Sequence, residues 1–298
     1  SFEIAFSTMH TAGQAFMLAF AGSGASSLDR GLEALCAAWL ALESIPSEAQ
    51  YERRFGKGEP AQLLKRYHRV PVGAAVIFSC GSYPAWNAYP AMMANLATGN
   101  PVVIKPHPDT ILPMAIAIDI ARETMREAGY DPNIITMAPD TWENPVGLKL
   151  VDHPQTKIVD FTGGQRFGVL LERRDPQLQV YTETAGCNAV LLESTDDLDA
   201  TLNALAQGLS LFSAQMCTAP QNLWVSASGF KVYTRPTHDS PRELSQCLSP
   251  SELAKLLKDR VDHLLSDPQR AAGICGVLHS EQSIEEMKRV GREVLALG

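Results

Sequence analysis

The chain has 298 residues, of which 45% are hydrophobic and 19% are charged, and its formal net charge at pH 7 is −8. This composition excludes a disordered chain, a collagen and a coiled coil, and the length suffices for about two domains. The acidic balance, without a long run of Lys or Arg, gives no electrostatic footprint for a nucleic acid or an anionic membrane. We therefore expect a globular protein that binds neither.

The cysteines and histidines give no sign of a metal centre. The six cysteines are far apart in the sequence, and the seven histidines are scattered without metal-ligand spacing. The first residues lack a basic stretch followed by a long apolar run, and no segment approaches the length of a membrane-spanning helix. We expect reduced thiols, no metal and a cytoplasmic location.

The first two thirds of the chain alternate between helical and strand-like segments. A helical pattern at 32–40 is followed by five short apolar runs separated by four helical segments. The expected strands are 74–80, 102–105, 133–137, 157–161 and 178–182, and the expected helices are 85–98, 110–128, 144–152 and one after Gly164. Such alternation predicts an α/β fold with a Rossmann-type, five-stranded parallel sheet, whose ligands bind outside the carboxyl ends of the strands. A nucleotide is the first ligand to consider.

A second domain is expected to begin near Asn188, which divides the chain into 1–186 and 187–298. A strand at 189–192 precedes leucines spaced by 4, 3 and 4 residues from Leu198 to Leu209, an amphipathic helix that delivers Cys217 just past its end. The sequence beyond Phe230 is polar and rich in turn residues, and helical patterns resume at Ser251 and Ser283.

Cys217 and Glu183 are the candidate reactive residues. Cys217 stands in SAQMCTAPQN, at a transition from helix to loop, and Glu183 stands in YTETAGCN, at the end of the fifth strand. Taken alone, neither residue indicates a reactive site, because most free cysteines are buried structural residues and most strand-end glutamates are simply solvated.

Together with two further motifs, the pair resembles the aldehyde dehydrogenase superfamily. Glu183 precedes Cys217 by 34 residues, TGNPVVIKP resembles the family's cofactor-lysine strand, and FTGG resembles its Phe-Thr-Gly-Ser/Gly turn. The segments SYPAWNAYP and QMCTAPQN are most similar to the aldehyde dehydrogenases of phenylacetate degradation. The resemblance implies oxidation of an aldehyde to a carboxylic acid with NADP or NAD, and the resemblance to the phenylacetate enzymes suggests a semialdehyde from aromatic catabolism as substrate.

The resemblance also implies a role for each residue. The thiolate of Cys217 attacks the aldehyde, and Glu183 activates the water that hydrolyses the resulting thioester. Lys105, with His107 beside it, reaches the adenosine ribose, whereas Phe161, Gly163 and Gly164 form the turn at the pyrophosphate. NAD-using relatives commonly carry a glutamate where this chain has Pro108, so we expect NADP to be tolerated or preferred.

The donor that completes the oxyanion hole has two candidates. The family uses an Asn side chain from a Trp-Asn-Phe-Pro motif, and counting back without a gap from Asn100 and Lys105 puts Ser82 at that place. The visible Trp-Asn pair ends five residues later, at Asn87. We favour Ser82 and keep Asn87 as the alternative.

Compared with the family, the catalytic domain is expected to be incomplete, since no Glu-Ile-Phe-Gly-Pro-like segment appears before Gly298. The resemblance implies a homodimer or homotetramer. Two other functions stay open. One is a CoA-acylating enzyme, which Glu183 disfavours, and the other is an inactive family member.

Overall fold

The computed structural model describes residues 1–235, 241–278, 281 and 284–290. The α-helices are α1 (Phe2–Ala12), α2 (Phe16–Leu18), α3 (Ser27–Glu43), α4 (Pro84–Ala97), α5 (Ile111–Glu127), α6 (Gly147–Val151), α7 (Gln165–Glu172), α8 (Leu198–Ser210), α9 (Pro250–Leu265) and α10 (Pro268–Ile274). The strands are β1 (Glu48–Arg53), β2 (Ala61–Arg66), β3 (Ala74–Phe78), β4 (Val102–Lys105), β5 (Ile135–Met137), β6 (Thr156–Gly163), β7 (Gln179–Thr184), β8 (Ala189–Leu192), β9 (Ser194–Thr195), β10 (Asn222–Val225), β11 (Phe230–Tyr233) and β12 (Leu244–Leu248).

The predicted five-stranded parallel sheet is confirmed. Its strand order is β5-β4-β3-β6-β7, and every neighbouring pair is parallel. The chain moves outward from β3 through β4 to β5 and then returns to the other side of β3 with β6. The connections therefore diverge at β3 and β6, the kind of switch point beside which α/β sheets bind their ligands.

Helices cover this sheet on two faces because neighbouring side chains of a strand point to opposite sides. In β3, Ile77 packs on the side of α4 and α5, while Val76 packs on the side of α6 and α7. Burial on both faces explains the apolar runs that predict these strands. The edge strand β7 differs from that prediction, since its residues alternate between exposed and half-buried.

A second core lies in the later part of the chain. The inward face of α8 packs with α9 and with Phe230 and Val232 of β11. The sequence analysis predicted no strand here, but the polar segment that begins at Phe230 contains β11 and its antiparallel partner β12. Ser249 closes a capping box with Glu252 at the start of α9, so the helix expected near Ser251 is confirmed. The helical start expected at Ser283 lies outside the described residues.

The antiparallel hairpin β1–β2 was missed by the sequence analysis. Its strands pair from Glu48 with Arg66 to Arg53 with Ala61, and nearly every residue is exposed. A hairpin without a buried face has no apolar alternation to reveal it.

Replacing Ile77 by alanine tests the central strand. Ile77 is fully buried, so Ile77→Ala should lower the free energy of unfolding by about 2–5 kcal/mol through lost burial and a residual cavity. Leu191→Ala is the control, because Leu191 is 84% exposed and should change it by less than about 0.5 kcal/mol. Urea denaturation followed by circular dichroism measures both. Equal effects of the two substitutions would contradict this account of the core.

Candidate active site

Glu183 lies at the carboxyl edge of the sheet and is held there by Asn87. In the register of β6 and β7, Glu183 is opposite Thr162. Asn87, in the first turn of α4, donates from Nδ2 to Oε2 of Glu183 at 2.8 Å and to Oγ1 of Thr162 at 3.0 Å. Both amide hydrogens are thereby used, and the exposed carboxylate of Glu183 has a fixed direction on the α4 side.

The two candidates for the oxyanion donor occupy different places. Asn87 is bound to Glu183, and the backbone oxygen of Ser82 accepts a hydrogen bond from Nε2 of Gln14 at 2.5 Å. The hydroxyl of Ser82 lies 3.8 Å from Sγ of Cys80. Within the part of the chain that the structure describes, neither side chain is hydrogen-bonded to Cys217. The choice between them stays a prediction.

Cys217 is exposed in the loop that follows α8, and an unusual backbone turn precedes it. Phe212, Ser213 and Ala214 have φ values of 53°, 52° and 59°, in the left-handed region. Such residues cost energy and persist where the surroundings hold them. The hydroxyl of Ser213 donates to the backbone oxygen of Gly276 at 2.8 Å, and Gln215 Nε2 donates to that of Val277 at 2.9 Å.

Asn188 joins the Cys217 loop to the end of β7. Its Nδ2 donates to the backbone oxygen of Cys217 at 2.5 Å and to that of Ala219 at 3.1 Å. Since Asn188 follows Glu183 by only five residues, the loop carrying the thiol is fixed beside the strand carrying the carboxylate. The sequence analysis missed this residue; its only signal is an amide side chain in a short loop between two strands.

Tyr83 packs against the residues around Cys217. Its hydroxyl donates to Sδ of Met216 at 3.4 Å, and its ring meets that of Phe212 edge to face at 5.9 Å. Burial raises the pKa of Tyr83, and the thiolate charges of Cys217 and Cys80 raise it further. Tyr83 is therefore a neutral phenol at physiological pH, and this aromatic wall beside the thiol was also missed from the sequence.

Asp160 is a second carboxyl group near Glu183. Asp160 lies on β6 two residues before Thr162, so the side chains of Asp160 and Thr162 point to the same face of the sheet, the one covered by α4. Burial raises the pKa of Asp160 to about 7, and the charge of Glu183 contributes to the shift. At neutral pH, Glu183 therefore has a partly protonated acid as its neighbour.

Lys105 ends β4 at the same edge and forms a buried ion pair. Its Nζ lies 2.5 Å from Oδ1 of Asp140, and their side chains are 11% and 2% exposed. Nζ also donates to the backbone oxygen of Pro106 at 3.1 Å, and Oδ2 of Asp140 accepts from the backbone N–H of Val146 at 3.0 Å. The carboxylate partner of Lys105 could not be read from the sequence.

His107 lies just beyond Lys105. Its ring packs edge to face on that of Trp142 at 5.2 Å, and its Nδ1 is 3.7 Å from Oδ2 of Asp109. The indole N–H of Trp142 donates to Oδ1 of Asp109 at 3.1 Å. His107, Trp142 and Asp109 therefore form an aromatic and acidic cluster in the segments that follow β4 and β5.

The glycine turn after β6 divides into a packed part and an open part. The side chain of Phe161 is in the core, edge to face with Phe78 and Phe167 at 5.7 and 5.2 Å. A Cβ at Gly163 would lie 2.6 Å from the Phe161 ring, whereas a Cβ at Gly164 would meet nothing within 4 Å. Gly164 is also the N-cap of α7, so the open space adjoins a helix N-terminus.

In the described ranges, no group of three or more His, Cys, Asp or Glu side chains could hold a metal ion. None of the helices that the structure describes has the length and apolarity needed to cross a bilayer.

Comparison with known proteins identifies the family. Residues 40–244 match the aldehyde dehydrogenase family. Aldehyde dehydrogenase LUC3 of Fusarium sp is 31% identical over 150 residues, which are 50% of this chain and 31% of that protein. The 1-pyrroline-5-carboxylate dehydrogenase of Geobacillus thermodenitrificans is 28% identical over 162 residues, covering 52% of this chain and 30% of the relative.

Solved structures agree with the fold. An NAD-dependent aldehyde dehydrogenase from Burkholderia multivorans has a TM-score of 0.88 and 41% identity, covering 97% of this chain and 50% of that one. The glyceraldehyde-3-phosphate dehydrogenase of Methanocaldococcus jannaschii, complexed with NADP, has a TM-score of 0.69 and 17% identity, covering 100% and 58%.

The chain belongs to the aldehyde dehydrogenase family, whose members are oxidoreductases acting on aldehydes, and it has the family's α/β fold. It spans about a third of the length of the curated relatives and about half of the Burkholderia structure.

Replacing Asp160 by asparagine tests the raised pKa of Asp160. An unfolded aspartate loses its proton near pH 4, but the folded protein keeps it until about pH 7. The free energy of unfolding should therefore fall as pH rises through this window and level off above it. Melting temperatures between pH 5 and 8 should decline less in Asp160→Asn than in the unaltered protein. Asp119→Asn, on the exposed side of α5, is the control and should keep the original slope.

Proposed function

We propose that the protein oxidises an aldehyde to a carboxylic acid by the hydrolytic route, with Cys217 as nucleophile and Glu183 as base. The observation that carries the proposal is the hydrogen bond from Asn188 to the backbone oxygen of Cys217, which joins the thiol loop to the end of the Glu183 strand. A nucleophile and a water-activating carboxylate on adjoining segments suit acyl transfer to water.

The chemistry follows from the residue types. The thiolate of Cys217 adds to the aldehyde carbonyl, and the resulting oxyanion accepts a hydrogen bond from Ser82, with Asn87 as the alternative donor. A nicotinamide cofactor, when bound, supplies the hydride acceptor that turns this adduct into a thioester. Glu183 then takes a proton from water, the hydroxide attacks the thioester carbon, and the acid leaves as the thiolate of Cys217 is restored. The hydrogen bond from Asn87 orients the carboxylate of Glu183 for this hydrolysis of the thioester.

The residues at the carboxyl edge fit such a cofactor. Lys105 offers a donor for ribose hydroxyls, and the open space at Gly164 lets a pyrophosphate approach the first N–H groups of α7. His107 and Trp142 add an aromatic surface beside Lys105. We propose that these residues bind the adenosine and pyrophosphate parts of NAD or NADP.

The remaining features of the proposal rest on resemblance. The segments SYPAWNAYP and QMCTAPQN resemble the aldehyde dehydrogenases of phenylacetate degradation, and this resemblance supports an aldehyde of phenylacetate or other aromatic catabolism as substrate. We also propose a cytoplasmic homodimer or homotetramer, with residues 187–298 as this chain's part of the catalytic domain. The name 1-pyrroline-5-carboxylate dehydrogenase belongs to the relatives and supports no more than the reaction class here.

Cys217→Ala tests the nucleophile. Aldehyde-dependent reduction of NAD or NADP by the full-length protein should fall at least about a thousandfold, while dinucleotide binding by calorimetry should change little. Cys36→Ala is the control, because Cys36 is an exposed thiol on α3 and should leave turnover unchanged. Retained turnover in Cys217→Ala would place the nucleophile elsewhere.

Glu183→Gln tests the base. The variant should give one burst of reduced cofactor per site and then stall, because the thioester on Cys217 is no longer hydrolysed. Mass spectrometry should find this acyl adduct, which Glu127→Gln, at the exposed end of α5, should not accumulate. Repeating the assay with free CoA separates the alternatives: turnover of the unaltered protein only with CoA would establish the acylating route. Continued turnover of Glu183→Gln without an adduct would refute its role.

A further inference from the structure

The ion pair between Lys105 and Asp140 changes what the β4 edge offers to a ligand. Lys105 is the last residue of β4, and Asp140 follows the neighbouring strand β5 by three residues. Both strands run in the same direction, so the two side chains meet at the carboxyl edge. Their charged atoms are 2.5 Å apart and almost completely buried, so the positive charge of Lys105 is compensated within the protein.

The position of Asp140 is fixed from two sides. Oδ1 contacts the ammonium group, and Oδ2 accepts from the backbone N–H of Val146 at 3.0 Å. A ligand atom that accepts a hydrogen bond from Lys105 must therefore come within about 6 Å of a carboxylate oxygen, whatever its direction of approach. Lys105 has three N–H bonds, and the hydrogen bond to the backbone oxygen of Pro106 uses one of them, so the ammonium group keeps donor capacity for such a ligand.

The surrounding segments add further negative charge. In residues 105–110 and 138–146, which follow β4 and β5, Lys105 is the single Lys or Arg, against Asp109, Asp140 and Glu143. A ribose with free hydroxyl groups can accept from Lys105 without a charge conflict. A 2′-phosphate would bring between one and two negative charges into an edge that is already acidic.

We propose that Asp140, by neutralising Lys105, is the residue that makes this chain select NAD over NADP. The proposal rests on the proposed function, in which Lys105 contacts the adenosine ribose. It departs from the expectation drawn from Pro108, because the carboxylate absent at that position is supplied from the adjacent strand. Asp140 thus acts as a specificity-determining residue through its effect on the charge of Lys105.

Equilibrium binding of NAD⁺ and NADP⁺ to the full-length protein tests the proposal, with calorimetry at one fixed ionic strength because salt screens the effect. The unaltered protein should bind NAD⁺ at least about tenfold more tightly than NADP⁺. Asp140→Asn should narrow that ratio by about tenfold, chiefly through tighter binding of NADP⁺ to the unmasked Lys105. If this variant does not fold, Asp140→Ser removes the same charge with a smaller side chain.

Asp152→Asn is the matched control. It also removes an aspartate from an ion pair, with Arg174 at 2.5 Å, but it lies at the end of α6, which leads to the amino end of β6. In Asp152→Asn, the ratio of the affinities for NAD⁺ and NADP⁺ should stay the same as in the unaltered protein. Equal binding of NAD⁺ and NADP⁺ by the unaltered protein, or equal changes for both in Asp140→Asn, would overturn the role of Asp140. Binding of neither dinucleotide would instead refute the proposed function.

Discussion

Parallel pairing of five strands is the constraint on which the polar side chains of this protein depend. All carboxyl ends of such a sheet lie along one edge, so residues far apart in sequence are gathered there. Lys105 ends β4, Gly163 ends β6 and Glu183 is next to last in β7. The register of β6 and β7 then places Thr162 opposite Glu183, which lets one amide, that of Asn87, bind to both.

Three carboxyl groups near this edge have different environments, and each environment suits a different task. Glu183 is exposed to solvent and held by a neutral amide. Asp160 is half-buried, and its desolvation together with the charge of Glu183 raises its pKa to about 7, so much of it is neutral beside Glu183. Asp140 is buried with Lys105 and stays part of an ion pair. Burial and partner, more than residue type, separate their chemistry.

The sequence predicted the features that depend on local pattern. Apolar runs identified the strands of the parallel sheet because its central strands β3, β4 and β6 are buried on both faces, and Glu183 and Cys217 stood in recognisable motifs. The contacts of Asn87, Asn188 and Asp140 could not be predicted, since each depends on strand register or on a loop reached through the tertiary fold. The hairpin β1–β2 was missed for the opposite reason, because it has almost no buried face.

Because of the left-handed turn before Cys217, the thiol reaches its final position late in the folding of the chain. Left-handed geometry costs roughly 1–2 kcal/mol per residue, so the turn at 212–214 needs its anchors. One anchor is Gly276, where a Cβ would lie 2.2 Å from the Phe212 ring, and the next residue, Val277, donates to the backbone oxygen of Gly13 at 2.8 Å. The turn needs its contacts with residues 276–277, and these residues leave the ribosome after the turn has been synthesised. A nascent chain that ends before them therefore does not hold Cys217 in its final geometry.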